Sequence, residues 1–370
     1  MNVVLLYGGK SGEHEISLLS ASAILRNIDR PRHRVTLIGI NKGGLWFLQD
    51  PSEAERVRND PEAVLRISED EGVAVVPGRG LALASSGTKI QADIVFPALH
   101  GTFGEDGTVQ GLLDCAGLPY VGSGVGASAV SMDKERTKQV WQNAGLPVVP
   151  WRCLRSPGPD RDALDGCEGA FGYPLFVKPS AGGSSVGAAK AGDRAALEAA
   201  VAEAFLWDEK VLVEPAIPAR EIECSVTGNP FCPPGSPPEH TVRAYCLGEI
   251  NPAHEFYDSD AKYIDPEGAS TVTPARLTPE QACFIEDTAK RAYAALDCAG
   301  LARVDFFINK KTGAVFLNEI NTMPGFTAIS MFPKMCAAWG MDFPSVIELL
   351  LEEGLARFKH VNRKKTDYRF

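Results

Sequence analysis

The residues best equipped for chemistry stand late in the chain, in LARVDFFINKKTGAVFLNEIN, Leu301 to Asn321. Two stretches that alternate polar and apolar residues flank a short KKTG turn, the pattern of a β-hairpin. Alternation sends Arg303 and Asp305 to one face and Val304, Phe306 and Ile308 to the other, and Glu319 and Asn321 likewise share a face. Two carboxylates, an amide and a guanidinium therefore converge. Hard cations such as Mg²⁺ take oxygen ligands and few carboxylates, completing their shells with water and phosphate oxygens, and Asp305, Glu319 and Asn321 meet that need. A solvated hairpin whose charges pair across strands has the same residues, so this motif alone leaves both readings open.

Three other stretches carry donors for an anion. In PSAGGSSVG, Pro179 to Gly187, glycines let backbone N–H groups approach a phosphate, and Ser184 and Ser185 add hydroxyls. No GK[ST] follows, so this is not a Walker loop, and a plain flexible turn is the competing reading. Lys178 just before it and Lys134 in SMDKERTK are point charges that can reach the same phosphates, although most lysines simply face solvent. GGKSGEHE and HGTFGEDG fall at the ends of predicted strands, the edge where open α/β sheets bind ligands, and would bring His14, Glu15 and His100 together there. The plainer alternative is that Glu13 or Glu15 caps the following helix and His100 is satisfied within a turn.

The elements that must position these groups read as an α/β (α+β) chain. VVLLY, a glycine loop, the amphipathic ISLLSASAILRNI, RVTLIGI and ADIVFPALHG alternate strand and helix, the pattern of a parallel sheet. A helix is predicted from Ser123 to about Asn143, YPLFVKP and AGGSSVG open a strand-loop-strand unit, and AALEAAVAEAFLW and KVLVEPAI follow as helix and strand. Longer strands, a proline-rich loop GNPFCPPGSPPEH and a closing helix from Phe343 to Phe358 complete the chain. The expected domains are 1–122, 123–213 and 214–360, with a basic tail at 361–370.

Composition narrows the class. A formal net charge of -10 over 370 residues argues against a nucleic-acid surface. Nine scattered cysteines with no CxxC pair support neither a disulfide framework nor structural zinc, and a reducing cytoplasm fits them. The start, MNVVLLYGGK, lacks a basic leader and cleavage site, so no export is expected, and no apolar run approaches the ~20 residues that span a bilayer.

Taken in order, HGTFGEDGTVQG, SMDKERTK, FVKPSAGGSSVG, FYDSDAKYID, ARVDFF and NEINTMPGFTAISMFPK closely resemble the D-alanine-D-alanine ligases of the ATP-grasp superfamily, from about Val3 to Glu353. The resemblance implies an ATP-grasp fold with an N-terminal Rossmann-like domain. It implies that Lys134, Lys178 and Lys262 contact the ATP triphosphate with Ser184 and Ser185, that the strand end Glu214 to Ile217 holds adenine, and that Glu221 takes the ribose. Asp305, Glu319 and Asn321 would hold two Mg²⁺ (or Mn²⁺) ions, with Asn321 also near the nucleotide. Glu15 would orient the first D-alanine's ammonium beside His100, and Ser330, followed by Met331, would hold the second D-alanine's carboxylate. Arg303 and the Gly325 N–H would form the oxyanion site, while Ser184 and Tyr263 link to Glu15 and close FYDSDAKYID over the reactants. Pro215 departs from relatives that often offer a backbone N–H in the nucleotide hinge.

The implied activity is ligation of two D-alanines through an acyl phosphate, in a cytoplasmic homodimer with no nucleic-acid or membrane partner. Within the family, Tyr263 and Met331 favour D-alanine over D-lactate or D-serine as second substrate. Other ATP-grasp carboxylases or peptide-tagging ligases would share the metal hairpin but not the serine loop and lid together. A non-catalytic ATP-binding scaffold predicts decay at Lys262, Arg303, Asp305 or Glu319, and all four are present.

Overall fold

Three apolar strands, Asn2–Gly8 (β1), Arg34–Ile40 (β2) and Ile94–Ala98 (β7), run parallel at one end of a seven-stranded sheet of order β6-β5-β4-β3-β2-β1-β7. Their side chains are buried on both sides: Val3, Leu5 and Tyr7 enter one apolar cluster, Val4 and Leu6 another. The chain is seen in a computed structural model, which describes residues 1–155, 161–231, 241–252, 269–327 and 329–363. The sheet is mixed, and not parallel throughout as the strand-helix alternation suggested. Trp46–Leu48 (β3), Glu71–Val76 (β4), Gly80–Leu83 (β5) and Lys89–Ile90 (β6) pair antiparallel. The turn from Asn41 to Leu45, closed by the Asn41 N–H donating to Leu45 O at 2.9 Å, is too tight for a parallel crossover.

Helix α1 (His14–Asn27) follows β1, and α2 (Pro51–Asn59) and α3 (Thr108–Ala116) pack beside the same sheet. The single helix expected over 123–143 is two, α4 (Val125–Met132) and α5 (Lys134–Asn143). The break is Asp133, whose extended backbone (ψ 98) ends one helix and whose carboxylate caps the next by accepting from the Arg136 N–H. That break places Lys134 at a helix N-terminus.

A four-stranded sheet of order β10-β9-β11-β8 follows: Arg152–Leu154 (β8), Leu175–Pro179 (β9), Ala189–Ala191 (β10) and Val211–Pro215 (β11). Helices α6 (Arg161–Phe171) and α7 (Arg194–Ala204) bury Leu164, Leu197 and Val201 against it. The third sheet has order β14-β13-β12-β15-β16, from Ala219–Gly228 (β12), Arg243–Pro252 (β13), Ala269–Val272 (β14), Gly300–Asn309 (β15) and Val315–Asn321 (β16). Helix α8 (Pro279–Ala295), opened by a Thr278/Gln281 capping box, covers one face, where Val304, Phe306 and Ile308 are buried as alternation requires.

Helices α9 (Met331–Trp339) and α10 (Phe343–Val361) return to the first sheet. Phe332, Val346 and Leu350 share a core with Leu5 and Phe96, so C-terminal elements fix the N-terminal sheet against the site.

Candidate active site

Two cavities meet at one wall. The larger, about 880 Å³, lies between the second and third sheets and is lined by Lys178, Glu214, Ile217, Glu221, Asp305 and Asn318 among others. The smaller, about 50 Å³, lies at the C-terminal edge of the parallel strands, with Glu13, His100, Glu105 and Gly325 in its lining. Lys134, Gly182, Gly183, Ser184, Arg303 and Glu319 line both. The Pro179–Gly187 loop is thus a partition, and Ser184 and Ser185 sit on it in the left-handed region (φ 51 and 59), which non-glycine residues seldom adopt.

Glu13, not Glu15, is the carboxylate at this wall. Ser184 Oγ donates to Glu13 Oε1 at 2.6 Å, and Glu13 occupies the N-cap position of α1 without capping it, its side chain turned to the cavity. Glu15 is on the outer face of the first turn, 61% exposed in its side chain, and pairs with Lys42 at 2.5 Å. Its hydrogen bond with Lys42 holds its carboxyl below the usual range. The reason is helical geometry: positions 13, 17 and 20 share the inward face, where Ser17 and Ser20 are buried, and position 15 turns away. Glu13 therefore holds the place beside Ser184 that was expected of Glu15.

His100 lines the same small cavity, but both ring nitrogens are engaged. Nδ1 lies 2.9 Å from Met323 O, which can only accept, so Nδ1 carries the proton; Nε2 then accepts from Ser20 Oγ at 2.8 Å, and Ser20 accepts the Phe326 N–H. Burial lowers the His100 pKa, against the pull of Glu13, and keeps the ring neutral. Glu105, which sequence reasoning passed over inside HGTFGEDG, accepts from the Gly101 and Met323 N–H groups. Burial, with the Glu13 charge added, raises its pKa to about 8.

On the nucleotide-sized side, Lys134 Nζ donates to Gly182 O at 2.6 Å and lies 3.3 Å from Glu319. Lys178 Nζ is 3.0 Å from Glu214 and donates to Asn318 Oδ1 at 3.2 Å. Glu214 also faces Lys138, fully buried, at 2.9 Å. Burial alone would raise the Glu214 carboxyl; the two ammoniums outweigh it and hold the group ionised. Burial lowers the Lys138 pKa to about 8 even so. Sequence spacing offered one signal for Lys138: it stands one turn after Lys134 on the same helix. Asn318 had none. A register shift after Asp305 pairs Phe306 with Leu317 and leaves Asn318 as an extra residue, so Asn318 and Glu319, neighbours that alternation would separate, both line the cavity.

Asp305 stands directly opposite Glu319, and Arg303 opposite Asn321. Arg303 donates to both Asp305 oxygens at 2.7 Å and lies 3.1 Å from Glu223; Asn321 Nδ2 donates to Asp305 at 3.0 Å. The facing carboxylates are each matched by a cation, Arg303 and Lys134. Among the described residues no group of three His, Cys, Asp or Glu side chains is placed to hold a metal ion; Asp305, Glu319 and Asn321 offer two carboxylates and an amide, oxygen donors of the kind a hard divalent cation takes.

The remaining predicted residues divide. Ser185, Ile217 and Glu221 line the larger cavity. After Pro215 the Ala216 N–H is already bonded to Pro174 O at 2.9 Å. Ser330 stands at the N-terminus of α9, close enough to Gly325 that a Cβ there would sit 3.0 Å from its Oγ. Met331 is not brought to either cavity: it is buried with Ile250 and Met335, because helical rotation from Ser330 turns it inward. Lys262, Tyr263 and the FYDSDAKYID stretch lie outside the described residues.

A cavity held between a four-stranded and a five-stranded sheet, with Lys178 and Glu214 from the first and Asp305 and Glu319 from the second, defines an ATP-grasp enzyme. The chain belongs to the D-alanine-D-alanine ligase family: the models described as "D-ala D-ala ligase N-terminus" and "D-ala D-ala ligase C-terminus" match residues 2–123 and 140–352. It is 49% identical to the D-alanine–D-alanine ligase of Treponema denticola, over 99% of both chains. Among solved structures it is similar to the D-alanine-D-alanine ligase from Coxiella burnetii (TM-score 0.82, 33% identity, 98% of this chain and 97% of that one). It is also similar to the VanG D-Ala:D-Ser ligase from Enterococcus faecalis (TM-score 0.80, 32% identity, 95% and 99%).

Proposed function

We propose that the chain joins two D-alanines into D-alanyl-D-alanine for peptidoglycan precursor synthesis, consuming ATP and releasing ADP and phosphate. The observation that carries this reading is the shared wall: an acidic residue suited to an ammonium, Glu13, lines one cavity, a cation suited to phosphate, Lys178, lines the other, and Lys134 lines both beside the serine loop that divides them.

A carboxylate is a poor electrophile toward an amine. The first D-alanine, its ammonium held by Glu13, attacks the ATP γ-phosphorus through its carboxylate oxygen at the wall; the bond from that phosphorus to the bridging oxygen breaks, ADP leaves with the electron pair, Lys134 neutralises developing charge, and an acyl phosphate is formed. Glu214, kept ionised by Lys138 and Lys178, accepts from the adenine amino group. Two Mg²⁺ (or Mn²⁺) ions held by Asp305, Glu319 and Asn321 would supply charge neutralisation between the phosphates. The second D-alanine, its carboxylate met by Ser330 and the α9 N-terminus, attacks the acyl carbon through its free amine; Arg303 and the Gly325 N–H hold the resulting oxyanion before phosphate leaves.

Tyr263, with Lys262, completes the lid in this reading. Cytoplasmic location and a homodimer complete the proposal; among the described residues no helix is long and apolar enough to cross a membrane. The test is phosphate release by the purified protein with ATP and Mg²⁺, comparing D-alanine, D-serine, D-lactate with D-alanine, and L-alanine, with product masses. Release driven by D-alanine alone with a dipeptide mass supports the reading, and release independent of any amino acid overturns it. The likeness to a D-Ala:D-Ser ligase makes D-serine the second reading, which a mixed dipeptide would favour.

A further inference from the structure

The serine loop divides the two cavities, and besides Glu13 and Lys134, which meet it at the cavity wall, two residues outside both cavities hold its ends. Its start is tied to the strand end that follows α7: the Ala181 N–H donates to Asp208 Oδ2 at 2.6 Å, and the Ser180 N–H donates to Lys210 O at 2.9 Å. Asp208 Oδ1 is fixed in turn by the Lys210 N–H at 3.1 Å. The loop's other end rests on Trp207. A Cβ at Gly187 would come within 2.6 Å of Trp207 Cδ1, and Gly187 has φ +70, so the indole lies directly on that glycine's α-carbon. Trp207 is 59% exposed and its Nε1 donates to Glu203 at 3.0 Å. Neither Trp207 nor Asp208 lines either cavity. Between these two anchors the loop carries the left-handed Ser184 and Ser185, a conformation that persists only where its surroundings enforce it.

We propose that Trp207 and Asp208 are positioning residues that clamp both ends of the serine loop and so keep water from the acyl phosphate until the amine attacks. The inference rests on the ligase reading above. If the loop loosens, water cleaves the C(O)–O–P anhydride: the acyl carbon or phosphorus takes the water oxygen, the anhydride bond breaks, the proton goes to solvent, and D-alanine and inorganic phosphate return with no peptide bond made. ATP is then spent without product.

The experiment compares phosphate released with dipeptide formed, at saturating D-alanine, in wild type, Asp208→Ala, Asp208→Asn, Trp207→Ala and Trp207→Phe, with melting temperatures and amide exchange at Ala181 read on the same proteins. Wild type should give one phosphate per dipeptide. Asp208→Ala and Trp207→Ala should give about two or more, since loss of loop closure exposes the intermediate to water, with melting temperatures lowered by no more than about 4 °C. Asp208→Asn keeps an oxygen for the Ala181 N–H, and Trp207→Phe keeps a ring over Gly187, so both should return near one. A ratio of one in both alanine variants overturns the clamp, as does an equal loss of phosphate and dipeptide with a lowered melting temperature. Amide exchange at Ala181 unchanged in Asp208→Ala overturns it even where wild type makes the dipeptide; a wild type that releases no phosphate with D-alanine fails the ligase reading instead and takes the clamp with it.

Discussion

Ser184 Oγ donates a 2.6 Å hydrogen bond to Glu13 Oε1, joining residues 171 positions apart in the chain. One is on the loop before β10, the other at the start of α1, so the bond closes the wall between the cavities only when the first and second sheets are docked. Glu13, its acceptor, set against the nearby surface carboxylate Glu15 makes the sharpest test of the site.

Glu13→Gln should lower kcat/KM for D-alanine by about a hundredfold, the scale of removing one partner of a desolvated charge pair. Glu15→Gln should change it by less than about twofold, because its Lys42 pair is at the surface. Steady-state kinetics on both variants decide it; the reverse ranking would return the substrate ammonium to Glu15.

Asn318→Ala should raise the KM for ATP by about fivefold while leaving KM for D-alanine unchanged, since it removes one hydrogen-bond acceptor from Lys178. ATP titrations at fixed D-alanine measure the split, and an unchanged ATP KM would show Lys178 needs no help from the bulge.

Lys138→Met should lower stability by about 3 kcal/mol, because it leaves the buried Glu214 with Lys178 alone. Urea unfolding of the two proteins at one pH reads this directly. A change within about 0.5 kcal/mol would mean the carboxylate is solvated or protonated once Lys138 is gone.

Glu105 gives a pH dependence with a defined sign. Burial and Glu13 raise its pKa from about 4.5 to about 8, so between those values the folded chain holds a proton that the unfolded chain has released. Stability from this group therefore falls as pH rises through that window. Glu105→Gln does not titrate, so the melting temperature of wild type minus that of the variant should decline between about pH 5 and about pH 8. A difference that stays flat would mean the Gly101 and Met323 N–H groups hold Glu105 ionised throughout.

The hairpin that presents Arg303 and Asp305 was legible from its sequence, because a period of two is a local property and Val304, Phe306 and Ile308 do lie on the opposite, buried face. The apolar strands of the first sheet, the helix after β1 and the glycine-serine loop were legible for the same reason. The split of 123–143 into two helices was hidden, since Asp133 is an ordinary helix residue until its carboxylate finds the Arg136 N–H. The antiparallel half of the first sheet was equally hidden, because pairing direction depends on a turn closing and not on strand composition.

The sequence by itself determined the family and the local run of strands, helices and loops that carry its polar residues, since motifs and periodicity are written along the chain. Tertiary structure alone decided that Glu13 and not Glu15 faces Ser184, that a bulge sends Asn318 to Lys178, and that Lys138 is buried against Glu214. Those outcomes depend on helix phase, strand register and burial, quantities fixed by packing between distant segments, and a shift of one residue in any of them exchanges the side chain in the site for its neighbour.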